Sequence, residues 1–140
     1  MKQFIVMIAI LPILLSFAIQ LDHSQINNHK NLAVERAIET AEMDIKLDGC
    51  LTSGTKDVLA KNIASIMGVG EDEVVIEGPS ETQKKYKSSG TKYEDSKIVY
   101  SIKYKFNDVM AANALYGIRD EDNSVDITIN RKVLSEKLRV

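Results

Sequence analysis

The sequence predicts an α+β fold: a long N-terminal helix, transmembrane in its first part and amphipathic in its second, packed on a small antiparallel sheet. Three observations predict it. After Met1-Lys2-Gln3 comes an uncharged apolar run, Phe4 to Ile19. From Gln20 to Leu47 there is neither proline nor glycine, so nothing interrupts a helix that continues out of that run. Beyond Gly49 the pattern changes to short segments, of which Ile98 to Phe106 alternates apolar and polar residues with the period of a half-buried strand.

Composition narrows the class. At 140 residues the chain has room for one small core. Charged residues at 27% and apolar residues at 44% are ordinary for a folded chain and argue against wholesale disorder. The net charge of −2 supplies no basic field to attract nucleic acid. A single cysteine excludes an internal disulfide and a cysteine-built zinc site. With no tryptophan and 6% aromatics, a large aromatic binding face is not expected.

Three regions follow: an anchor or signal segment at 1–21, an amphipathic helix continuing from it at 22–49, and an extracytoplasmic α+β domain at 50–140. With Leu21 included, the apolar run is about 18 residues, the lower end of what crosses ~30 Å of hydrocarbon as a helix. Lys2 and the small-residue pattern Ser16-Phe17-Ala18 also suit a cleaved secretory signal. The absence of helix breakers after Ala18 favours a retained single-pass anchor in the cell membrane; secretion after cleavage is the alternative. Lys2 favours an N-terminus inside and the bulk of the chain outside, although Lys30 and Arg36 weaken that bias. Pro12 is expected to kink the membrane helix, a place where proline is tolerated.

In the second region Val34, Ile38, Ala41 and Ile45 fall within about 60° on a helical wheel, and Ala33 and Ala37 widen that face. Val34, Ala37, Ile38, Ala41 and Ile45 are therefore the candidate packing and assembly face, used within the chain, between subunits, or both. Nearer the membrane His23, Asn27 and Asn31 continue the stripe in polar form. Asp48-Gly49 ends the helix, with the glycine suited to a left-handed C-terminal position. Cys50 reads as a small buried hydrophobe.

In the third region Thr55 is expected to cap a helix running to Met67, with Leu59, Ile63 and Ile66 inward and Gly68 beyond its end. Glu73 to Glu77 is a short strand ended by Gly78-Pro79, and Ser80 to Asp95 a polar loop or hairpin tip. In the strand Ile98 to Phe106, Ile98, Tyr100, Ile102, Tyr104 and Phe106 share one face. Asp108 is expected to cap a short helix to Tyr116, closed by Gly117. Val125 to Asn130 is a third strand with Val125, Ile127 and Ile129 inward, and the C-terminus a brief helix or frayed tail.

Catalytic patterns are missing. His23 and His29 lie six residues apart, on different sides of a helix and not at metal-pair spacing, and read as surface residues. Gly68-Val69-Gly70 lacks the third glycine of a dinucleotide loop and reads as a helix stop. Asp120, Asp122, Ser124 and Asp126 have calcium-loop spacing, but Val125 and Arg131 stand where glycine and a bidentate glutamate belong. The lysines between Lys84 and Lys105 read as a solvated strand face rather than a polyanion patch. No enzymatic activity and no cofactor are expected.

The Leu11-Pro12 pair within an apolar run, the alanine-rich amphipathic helix, the stretch Ala33 to Thr52 (AVERAIETAEMDIKLDGCLT) and the strands EVVIE and IVYSIKYKF in that order resemble TadE-like pilins. These are minor or pseudopilin subunits of tight-adherence pilus systems and related membrane proteins. Val6 stands where typical members carry a glutamate, so the resemblance does not extend to the prepilin peptidase site. It implies a membrane-anchored structural subunit of a surface, secretion or conjugation apparatus, whose helix assembles with other pilin-like subunits and whose globular part faces outward, without nucleic acid as partner. The alternative from another class is a secreted or anchored monomeric domain that binds cell wall or a polyanion at its lysine–tyrosine strand.

Overall fold

The computed structural model describes residues 2–80 and 96–137. Helix α1 spans Lys2–Asp48, 47 residues without interruption, or roughly 70 Å at 1.5 Å per residue. Gly49, at φ 72°, ends it in the left-handed conformation that costs glycine least, and its N–H closes on the Ile45 carbonyl at 2.9 Å. Helix α2 (Ser53–Met67) folds back beside it and ends in the same way at Gly68, also at φ 72°. A single 3₁₀ turn (Glu71–Glu73) leads to strand β1 (Val75–Glu77).

Strands β2 (Lys97–Asn107) and β3 (Ser124–Leu134) complete a three-stranded antiparallel sheet in the order β1-β2-β3. The register sets Ile76 beside Ile102, Ile98 beside Val133, Ile102 beside Ile129 and Tyr104 beside Ile127. Because successive strand side chains alternate faces, these residues share the inner face with Tyr100 and Phe106, while Lys103, Lys105 and Thr128 line the outer one. The inner face meets Val34, Ile38, Ala41 and Ile45 of α1 and Leu59, Ile63, Ala64 and Met67 of α2 in one core. The fold is thus α+β, with a long N-terminal helix and a second helix against a small antiparallel sheet, and the architecture is pilin-like.

Two backbone contacts close the far end of the domain. The Leu51 N–H donates to the Pro79 carbonyl at 3.0 Å, and the Glu136 N–H to the Lys46 carbonyl at 2.8 Å. The second ties the end of β3 to the last turn of α1. Cys50 lies buried at this corner beside Leu51.

Several local expectations are corrected. The cap of α2 is Thr52, not Thr55: its hydroxyl oxygen accepts from the Thr55 N–H at 3.2 Å, and the two hydroxyls are 2.9 Å apart. An N-cap binds the third residue after it, and Thr52 with extended backbone is the residue placed to do so. Asp108 caps no helix. It has φ 55°, and its loop holds only two short 3₁₀ turns, Asn113–Tyr116, preceded by Ala112 and closed by Gly117, and Asp120–Asp122; neither starts at Asp108. The C-terminal segment is strand through Leu134 rather than helix or tail, since pairing with Lys97–Val99 captures it. Val125 is inward by register, opposite the buried Phe106, but is 47% exposed on the edge strand β3. The expected loop or hairpin tip lies almost wholly outside the described residues, as do Lys84, Lys85, Lys87 and Lys92.

Candidate functional site: the three zones of the long helix

Helix α1 carries three successive environments on one rod. In the first, Lys2 to Leu15, every described side chain is exposed; Phe4, Ile5, Met7, Ile13 and Leu14 each exceed 60%. This is one helix long and apolar enough to span a membrane or to act as a signal sequence. Pro12 lies inside the unbroken helix, where its missing N–H leaves the Ile8 carbonyl without an intrahelical donor. Four residues on, the Ser16 hydroxyl donates to the Pro12 carbonyl at 2.8 Å, satisfying itself within the helix.

The second zone is polar. Ser16, Gln20, His23 and Asn27, at spacings of four, three and four, form a half-buried stripe on an otherwise exposed helix. The stripe holds the loop between β2 and β3. His23 Nε2 and Asn27 Nδ2 reach the Asp108 carbonyl, Asn27 Nδ2 is also 3.3 Å from the Val109 carbonyl, and Gln20 Oε1 accepts from the Ala111 N–H at 3.1 Å. His23 is therefore a tether and not a free surface residue, whereas His29 is exposed. The sequence signal was present in the register of His23 and Asn27 with Val34, but nothing in it specified what the polar stripe would meet.

The third zone is the domain core. Val34, Ile38 and Ile45 are at most 1% exposed and Ala41 is 7%, all against the chain's own α2 and sheet. Ala37 is half-buried beside them. Polar contacts frame this zone: the Tyr100 hydroxyl donates to Glu42 Oε1 at 2.9 Å, and Arg131 on β3 is ion-paired with Glu35. Burial, reinforced by Glu42, pushes the Tyr100 hydroxyl well above its ordinary pKa, and burial with the nearby Glu35 charge raises that of Tyr104.

Other features are modest. A groove of about 320 Å³ between α1 and α2 is lined by Thr40, Asp44, Asp48, Thr52, Thr55 and Asn62 among others, with neither histidine nor cysteine in its wall. The acidic turn after Arg119 is neutralised locally by Arg119 pairing with Glu121 and Asp122. Among the described residues no group of three histidine, cysteine or acidic side chains converges as metal ligands would. On β2 the tyrosines point inward while Lys103 and Lys105 point outward, so the two types do not share a face. Lys103 bonds Glu77 at 3.0 Å and holds that exposed carboxyl below its ordinary pKa. Comparison with protein-family models, curated proteins and solved structures finds no match to this chain.

Proposed function

We propose that this protein is a non-enzymatic, membrane-anchored structural subunit, pilin- or pseudopilin-like, of a bacterial surface, secretion or conjugation apparatus. Residues 4–21 cross the bilayer, and the α+β domain stands on the extracytoplasmic side. The observation that carries the reading is the division of α1. Its C-terminal part is rooted in the domain core, while its N-terminal part projects as an uncovered apolar rod. A helix needed only for the core would end near the core, and a helix needed only as a tether would not have to be continuous with it.

The mechanism is packing. Helices held in a bilayer associate through side-chain shape and close approach rather than through a hydrophobic drive, since lipid tails are equally apolar. A rigid rod continuous with the domain transmits the orientation fixed in the membrane to the outer surface, so neighbouring domains are presented in register. The test is in-cell photocrosslinking from position 14, with a photoreactive residue replacing the exposed Leu14. Protein adducts of discrete mass, to itself or to another membrane subunit, are expected. Lipid adducts alone would overturn the assembly role.

A further inference from the structure

From Val109 to Ile118 the β2–β3 loop reads VMAANALYGI, ten residues without a formal charge at neutral pH, between Asp108 and the charged turn Arg119-Asp120-Glu121-Asp122. Such a loop on a water-exposed domain would be expected to carry polar side chains at its tip. Here the tip is Leu115 and Tyr116, 73% and 57% exposed. It does not point away from the anchor. Asp108 is held at His23 and Asn27, Ala111 at Gln20, and Leu115 and Tyr116 form a groove with Pro12, Ile13 and Ser16. The loop therefore descends along α1 toward the N-terminus.

The depth follows from helix geometry. If the apolar run ends at Leu21, residues Ser16 and Pro12 lie roughly 8–13 Å below its outer end at 1.5 Å per residue. That is within one leaflet of a hydrocarbon core ~30 Å thick. Resting on the reading that α1 spans a membrane, we propose that the loop tip Ala114–Tyr116 inserts into the acyl region of the domain-facing leaflet and forms a second membrane contact beside the helix.

Two further features suit lipid. Backbone polar groups at membrane depth must be satisfied within the protein. Gln20 accepts from the Ala111 N–H, Leu115 N–H donates to the Ala112 carbonyl, Ile118 N–H to the Asn113 carbonyl, and the Asn113 amide to the Ile118 carbonyl. Asn113 also bonds Asp120 at 2.8 Å, which places the change from charged turn to apolar tip at one level. Tyr116 has the apolar body and polar end typical of side chains at a bilayer interface. The contact fixes the rotation of the domain about α1 relative to the membrane plane, which a single tether does not.

The chain has no tryptophan, so a single introduced one reports alone. Full-length protein carrying Leu115→Trp, and separately Phe17→Trp, is reconstituted in phosphatidylcholine vesicles with or without acyl-chain bromination, and quenching by the lipid is compared with quenching by aqueous acrylamide. Leu115 is exposed, so its replacement disturbs no packing, and Tyr116→Trp serves as an independent second reporter. Insertion predicts blue-shifted emission at position 115, lost to brominated lipid and protected from acrylamide, as at position 17. Quenching by acrylamide at 115 with lipid quenching at 17 overturns the loop insertion and leaves the anchor standing. Protection from both quenchers at 115 means that protein covers the tip and also overturns it. Failure of lipid quenching at 17 removes the anchor, and the loop contact with it.

Discussion

Ile38→Ala isolates the part of α1 that holds the domain together. Ile38 is fully buried between α2 and the sheet. The substitution deletes three carbons, which at about 0.8 kcal/mol each gives roughly 2.4 kcal/mol of lost transfer energy. The cavity left in a core shared by two helices and a sheet adds to this, and about 3 kcal/mol is expected, inside the usual range of about 2–5 kcal/mol. Ile8→Ala is the same chemical change on the same helix, at a residue 59% exposed, and is expected to alter domain stability by less than about 0.5 kcal/mol. Urea unfolding of the full-length protein in detergent micelles, followed by the near-ultraviolet signal of the buried Tyr100 and Tyr104, measures both. A cost below about 1 kcal/mol for Ile38→Ala would refute the core assignment. A cost that changed with protein concentration would refute it differently, by showing that the site is buried between subunits.

Two other outcomes are expected from the domain. Thr52→Ala removes the hydroxyl that caps α2 and should cost about 1 kcal/mol in the same unfolding experiment, with Thr52→Ser close to neutral; an unchanged Thr52→Ala midpoint would return the cap to another residue. Tyr100→Phe should cost about 1.5 kcal/mol near neutral pH by removing a hydrogen bond to a carboxylate. Because the folded state raises the Tyr100 pKa, its contribution is fully present below the unfolded value of about 10 and is lost as pH rises through the higher folded value. The stability gap between the native protein and Tyr100→Phe should therefore be flat below about pH 10 and narrow above it. A gap that widened there would contradict the assigned environment.

Most of the architecture was legible because it rests on periodicity and on helix breakers. Nothing between Gln20 and Leu47 stops a helix, and α1 runs through; Gly49 and Gly68 suit left-handed ends, and both adopt them. The alternation of Ile98 to Phe106 gave the inner face of β2 correctly. What was less legible depends on partners distant in sequence. Lys132 to Leu134 looks like a polar tail until Lys97–Val99 pairs with it. Asp108 looks like a cap because aspartate often is one, but its carbonyl is taken by side chains some eighty residues earlier. The polar stripe was visible at His23 and Asn27, but it was continued to Asn31, which is exposed, rather than to Gln20, and its meaning required the loop that lies on it.

In the proposed function the apolar rod remains part of the mature protein and holds it in a membrane. The intact mass of the protein from expressing cells, measured after separating membrane, soluble and secreted fractions, tests this most directly. Full-length mass, with Phe4 to Leu21 retained, is expected in a membrane pellet that resists alkaline extraction. A soluble or secreted product shorter by about 18 residues, cut after the Ser16-Phe17-Ala18 pattern, would contradict it, because the rod would then be a signal removed before the domain reached its site.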